Sequence, residues 1–362
     1  MDSDCILIVS KDKGASQYTI PLAASLKRLG FTVVIVAEGV AAGEFKKAGY
    51  SLYFEGSFDF TREPFEYDEI RMLEDIKPKI LVVGHSWPIN MERTFGHAAN
   101  QFGIPVVLSA DGPGVHFLSD EKLALVLCDE AYTQALIKRD LGSTVRTVLV
   151  GSCAVKEGRE LIVSAKAKET ISSLRERFHE LYLFVGGHPG PTTAELRLLV
   201  DALESRPGPW GVIARHHLKF APNLAGDTGK TYDQVWREIL ARLGDRVIWP
   251  NQGDFSGEEL VASADVVFSG RSTLLLTAAA RGIRAVSLRT PETLANNKKV
   301  LGLDEISAVA SGYAVAMEKP TDLERVLREP LPDSSKFVPY DPDLAAKAVQ
   351  DFLTRNQLTN KP

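Results

Sequence analysis

The 362-residue sequence predicts an α/β protein of two Rossmann-like domains facing a cleft, each a parallel sheet covered by helices. Three observations predict this. Short runs that are apolar at successive positions recur along the chain, as strands buried on both faces require. Helix-like stretches separate them, several closed by Gly. The rhythm restarts near residues 150–153, and the chain is longer than the roughly 250–300 residues that one core supports.

CILIVS at 5–10 is the first strand, and the loop KDKGASQY leads to a helix over TIPLAASLKR closed by Gly30. FTVVIVA at 31–37 is the second strand, and VAAGEFKKAGY is a short helix ending at Gly49. GSFDFTREPFEYDE at 56–69 fits neither period and reads as a loop. KILVVGH (79–85), IPVVLSA (104–110), LALVLC (123–128) and VLVGS (148–152) complete the first half. The second half brings LYLFVGG (181–187), WGVIAR (210–215), RVIWP (246–250), DVVFSG (265–270) and RAVSL (284–288), and DPDLAAKAVQDFLTRNQ (341–357) reads as a final helix. The expected domains are 1–150 and 151–340, with 341–362 as a C-terminal helix.

Composition excludes several classes. A net charge of −5 argues against general nucleic-acid binding, which needs a broad basic surface. Cys5, Cys128 and Cys153 form no paired spacing, so neither a disulfide framework nor a zinc site is expected. CILIV is too short for a signal segment, and no apolar run approaches the roughly 18 residues of a membrane span. The expectation is a soluble cytoplasmic protein.

In open parallel sheets, ligands bind beyond the carboxyl ends of the strands. Gly14 lies in the loop after the first strand and allows close approach of a ligand. VGGHPGPTT (185–193) is a Gly-rich turn opening a helix, where Gly186, Gly187 and Gly190 suit a diphosphate and a tight structural turn equally well. Arg215, His216, His217 and Lys219 crowd one strand end, as a phosphate or carboxylate site would. GDTGKT (226–231) is not a phosphate loop, because Leu224 stands where the first Gly is required. In FSGRST, Arg271 can neutralise charge, while Ser272 and Thr273 can cap the next helix, hold an anion, or both. Asp111, held out on a Gly-Pro-Gly turn, is the candidate general base, and His85 and His116 are further catalytic candidates.

These motifs resemble those of glycosyltransferases of the GT-B fold. VLCDEAYTQALIKRDLGSTVRTVLVGS resembles the end of that fold's N-terminal domain, with a hinge at Val150, Gly151 and Ser152. VGGHPGPTT and ASADVVFSGRSTLLLTAAARGIRAVSL are similar to the donor-domain loops of the peptidoglycan N-acetylglucosaminyl transferase. The order Asp111-Gly112, His216-His217, Ser272-Thr273 resembles the motif order of bacterial sialyl and Kdo transferases. Ala110, Leu218 and Thr277 depart from the pattern, Thr277 standing where many relatives place a ribose-binding Glu. The resemblance implies a glycosyltransferase that needs neither metal nor cofactor. It would move a sugar from a nucleotide-sugar donor, bound by the second domain, to an unidentified acceptor hydroxyl (glycan, lipid-linked or small molecule). It also implies a C-terminal helix that can cross back to the first domain. A sugar-nucleotide 2-epimerase and a non-catalytic nucleotide-sugar-binding protein are the alternatives.

Overall fold

The computed structural model describes residues 4–54, 68–86, 91–112, 122–142, 145–187, 189–216, 229–251 and 253–359. The chain divides into two compact units, Met1–Cys153 with Val338–Pro362, and Ala154–Phe337.

The first unit begins β1 (Cys5–Ser10), α1 (Lys13–Arg28), β2 (Thr32–Ala37), α2 (Gly39–Lys47), α3 (Asp68–Ile76) and β3 (Ile80–Val83). It continues through α4 (Met91–Gln101), β4 (Val106–Ser109), β5 (Leu123–Cys128), α5 (Ala131–Leu141) and β6 (Arg146–Leu149). The strands form one parallel sheet in the order β2-β1-β3-β4-β5-β6. Side chains alternate along a strand, so β1 feeds two core layers. Ile6 and Ile8 pack with Leu22 and Leu26 of α1 and Phe45 of α2. Leu7 and Val9 pack with Leu73 of α3, Phe95 of α4 and Ile137 of α5.

Two local expectations change. The stretch KDKGASQY is largely helical, because α1 starts at Lys13 and carries Pro21 inside it. Proline has no N–H for the carbonyl four residues back, and that carbonyl, of Gln17, instead accepts the Cys153 thiol at 3.4 Å. Asp68 and Glu69 open α3 instead of ending a loop, and the rest of 56–69 lies outside the described residues.

The second unit runs from α6 (Cys153–Glu160), which begins at the boundary, through α7 (Ala165–Arg177), β7 (Glu180–Val185), α8 (Pro189–Glu204) and β8 (Trp210–Arg215). Next come α9 (Tyr232–Leu240), β9 (Val247–Ile248), α10 (Gly257–Ser263), β10 (Val266–Ser269) and α11 (Leu274–Ala280). β11 (Arg284–Leu288), α12 (Pro291–Leu301), α13 (Ser307–Ala310), β12 (Val315–Met317) and α14 (Leu323–Arg328) complete it. The parallel order is β12-β11-β10-β7-β8-β9. Tyr182 and Phe184 face Leu199 of α8 and Trp236 of α9. Leu183 and Val185 face Val261 of α10 and Leu275 of α11.

The last helix, α15 (Pro342–Thr359), belongs to the first unit. Ala345, Ala346 and Val349 enter the same cluster as Leu22 and Leu26. Among the described residues, no helix is long and apolar enough to cross a membrane.

Candidate functional site

Because every strand of a sheet runs the same way, its carboxyl ends share one edge, and residues just beyond them become neighbours. In the first unit, His85 lies two residues past β3 and Asp111 two past β4, and these strands are adjacent. His85 Nδ1 and Asp111 Oδ1 are 2.8 Å apart, and both side chains stay partly accessible, at 11% and 21%. Gly14, in the first turn of α1, admits the Asp111 carboxylate: a Cβ there would collide with Asp111 Oδ2. Gly14 therefore packs against the acid, in addition to the ligand role expected of it. His116 lies outside the described residues.

An ionised carboxylate only accepts hydrogen bonds, so the contact places a proton on His85 Nδ1 and leaves Nε2 as the basic nitrogen. Burial presses against the charged imidazole. The hydrogen bond and charge of Asp111, with the charges of Glu92 and Asp12, outweigh it and raise the His85 pKa. Two buried carboxyls stand behind the pair. Burial pushes Glu92 up to about 7, partly opposed by Ser86 and by its own backbone amide. Asp129, one residue past β5, is held well above the usual carboxylate range by burial and then by the charges of Glu130 and Asp111.

The second unit has its own strand-end cluster, after the neighbouring strands β10, β7 and β8. Gly186 donates its N–H to the Arg215 carbonyl at 2.9 Å, and Gly187 donates to Thr192 Oγ1 at 2.9 Å. Of the three glycines expected at a diphosphate, Gly186 and Gly187 thus have amides that are already engaged. Gly186 is glycine for packing, since a Cβ would lie 2.5 Å from the Trp236 ring. Gly190 is exposed in the first turn of α8.

Arg215 is largely buried against Gly257, and burial lowers its pKa against the opposing charge of Glu258. His216 stacks on Trp236 with ring centroids 4.1 Å apart, and its Nε2 lies 3.3 Å from Asp233 Oδ1. Burial outweighs Asp233 and lowers its pKa. His217 and Lys219 lie outside the described residues.

At the β10–α11 turn, Ser272 Oγ accepts the Leu274 N–H at 3.2 Å. Thr273 is exposed and makes no capping bond. Arg271 is mostly buried, burial lowers its pKa, and its Nη1 has no hydrogen-bond partner among the described residues. Beneath the turn lies Glu195 of α8, which accepts from the Gly270 N–H and the Thr293 hydroxyl. Thr277 is buried further along α11, where its carbonyl faces Gly158 of α6.

Sequence reasoning passed over Asp129, Glu92 and Glu195. The first stands at a strand end like the residues it did select. The other two are acids at buried positions of helices, Glu92 beside Phe95 and Glu195 beside Leu196 and Leu199, and a charge on an apolar face is itself the signal. Among the described residues, no group of three or more His, Cys, Asp and Glu is placed to hold a metal ion.

No protein-family model matches the chain, and no curated protein does. Solved structures do. The UDP-GlcNAc 2-epimerase of Methanocaldococcus jannaschii aligns with TM-score 0.67 at 10% identity, over 97% of this chain and 99% of that one. MurG of Acinetobacter baumannii aligns with TM-score 0.58 at 14% identity, over 97% and 99%. The chain has the GT-B fold. A third GT-B likeness is Staphylococcus aureus MnaA, solved with UDP, at TM-score 0.65 and 11% identity over 99% of each chain. At such identities the likeness speaks for the GT-B architecture of two Rossmann-like domains.

Proposed function

We propose that the protein is an enzyme acting on a nucleotide sugar, with His85 and Asp111 as its proton-transfer pair. The observation that carries this is the 2.8 Å contact between the two, accessible at adjacent strand ends of a GT-B protein. The solved likenesses include proteins described with UDP or UDP-GlcNAc, which supports a nucleotide-sugar ligand.

The reaction we favour is glycosyl transfer. An acceptor hydroxyl attacks the anomeric carbon of the donor, and His85 Nε2 takes the hydroxyl proton. The bond from the anomeric carbon to the diphosphate oxygen breaks, and its electron pair leaves with the diphosphate. In the second unit, we assign Arg271 to the donor phosphates. Asp111 holds the imidazole in the right tautomer and stabilises its protonated form. A hydrogen-bonded pair acts as one base, which is what a single proton transfer needs. The second reading, 2-epimerisation of a sugar nucleotide, is favoured by the recurrence of UDP-GlcNAc 2-epimerases among the structures the chain resembles. There the same nitrogen would take the proton from the second carbon of the sugar, and a proton would return to the opposite face of that carbon.

The test begins with thermal shift against CMP, CDP, UDP, GDP and dTDP, since a ligand that binds the folded state raises the melting temperature. One nucleotide is expected to do so. Its sugar conjugates are then incubated with and without acceptor alcohols. Release of the nucleotide (CMP from a CMP-sugar, the nucleoside diphosphate from the others) only with an acceptor supports transfer, and interconversion without one supports the epimerase. A flat response to all five nucleotides would overturn the proposal.

A further inference from the structure

We propose that Glu195 is a positioning residue whose own charge sets how strongly Arg271 holds a ligand anion. This rests on the assignment of Arg271 to the donor phosphates. Glu195 is 3% exposed, on the inward face of α8. Its Oε2 accepts the Gly270 N–H at 3.1 Å, and its Oε1 accepts the Thr293 hydroxyl at 2.7 Å. The carboxylate fills the space that a side chain at position 270 would need, which explains the glycine of FSGRST. It therefore clamps the β10–α11 turn from below, directly beside the residue that carries the turn's charge.

Arg271 points to what the turn lacks. Its Nη1 is buried and donates to nothing among the described residues. A buried donor left unpaired is unfavourable, and an anion bound at the turn removes that penalty. Of the charges on the elements packed around Glu195, Arg271 is the one that acts on it, and α12 contributes only the Thr293 hydroxyl.

Burial pushes Glu195 up to about 7, against the pull of Thr293, the Gly270 amide and Arg271. Near neutrality both of its forms are populated. With Glu195 protonated, the charge on the turn is that of Arg271 alone. With Glu195 ionised, a negative charge sits behind the turn and repels the ligand. Anion affinity thus falls as pH rises through about 7. By reciprocity, a bound anion raises the proton affinity of Glu195.

The test uses sulfate, whose charge is constant across the range, together with UDP. Binding is measured from pH 5.5 to 8.5 at fixed ionic strength, on the full-length protein. In the unsubstituted protein, affinity is expected to drop about fivefold or more, as a site-to-site coupling of modest size gives. Glu195→Gln should bind at the tighter level throughout and lose the pH step. Thr293→Val removes a hydrogen bond that favours the ionised form, so its step should move to higher pH. That variant decides the matter if Glu195→Gln does not fold. A Glu195→Gln protein that keeps the step, or an unmoved step in Thr293→Val, overturns the role of Glu195 alone. Absence of sulfate and UDP binding at every pH overturns the donor assignment as well.

Discussion

At 2.8 Å, the contact between His85 Nδ1 and Asp111 Oδ1 is the reason the proposed mechanism gives the two residues separate roles. Sequence reasoning gave the role of base to Asp111 and kept His85 as a further candidate. In the proposed mechanism Nε2 of His85 is the proton acceptor and Asp111 the group that orients it. Asp111→Asn preserves the shape and removes the charge, so turnover should fall by about 10²–10⁴ while UDP affinity stays unchanged. The pH dependence carries the sign. The base must be neutral, so kcat/KM rises with pH through the raised pKa of His85. Asp111 supplies the leading contributions that raise it against burial, so the residual activity of Asp111→Asn should show this limb at lower pH. Full-length pH–rate profiles of both proteins check this, and near-normal turnover in the variant would remove the pair from the mechanism. Both residues were visible in the sequence as strand-end groups. Their bond was not, because 26 positions separate them.

The turn between β7 and α8 shows what an element does to its glycines. Three of them looked alike in VGGHPGPTT. Gly186 faces Trp236, which is wedged between Phe184 at 5.1 Å and His216 at 4.1 Å between ring centroids, so the indole has little room to yield. At Gly190 a Cβ would meet no atom within 4 Å beyond its chain neighbours Pro189 and Pro191. Gly186→Ala should therefore destabilise the second unit by about 1–3 kcal/mol through overpacking. Gly190→Ala should cost less than Gly186→Ala, since its one obstacle is the Pro191 ring, which disfavours a helical residue with a Cβ before it. Urea unfolding of the two variants tests the contrast, and equal stabilities would contradict the packing. A tight turn is legible in sequence, but the element packed against each glycine is not.

On the scale of the whole chain, the last residues complete the first unit. Ser152 donates to the Val338 carbonyl at 2.8 Å, and Asp341 donates to the Val150 carbonyl at 2.8 Å. Tyr340 donates its hydroxyl to the Tyr18 carbonyl at 2.9 Å, and its ring lies 4.9 Å from that of Tyr18. Tyr340, Val349 and Leu353 are buried in the cluster formed by α1 and β1. Burying a large apolar side chain contributes about 1.5–3 kcal/mol, so removing all three takes roughly 5 kcal/mol or more from a total of order 5–15. A chain ending at Phe337 should lose the fold of residues 4–153. Hydrogen exchange should then show unprotected amides in β1 and β3. Undiminished protection there would show that the tail is dispensable.

The alternation of strands and helices was legible because it is local. Strands buried on both faces must be apolar at successive positions, and the helices between them need turns, so CILIVS, LALVLC and WGVIAR coincide with β1, β5 and β8. β12 was not legible, being three residues at a sheet edge and only partly buried. The strand-end rule selected residues that are neighbours in the fold, since parallel strands carry their carboxyl ends to one edge. Tertiary structure alone decided which of those residues meet. Local periodicity carries no record of partners 26 positions apart, as for His85 and Asp111, or 75 apart, as for Gly270 and Glu195. Strand order and helix packing bring them together, and burial then pushes the pKa of Glu195 up.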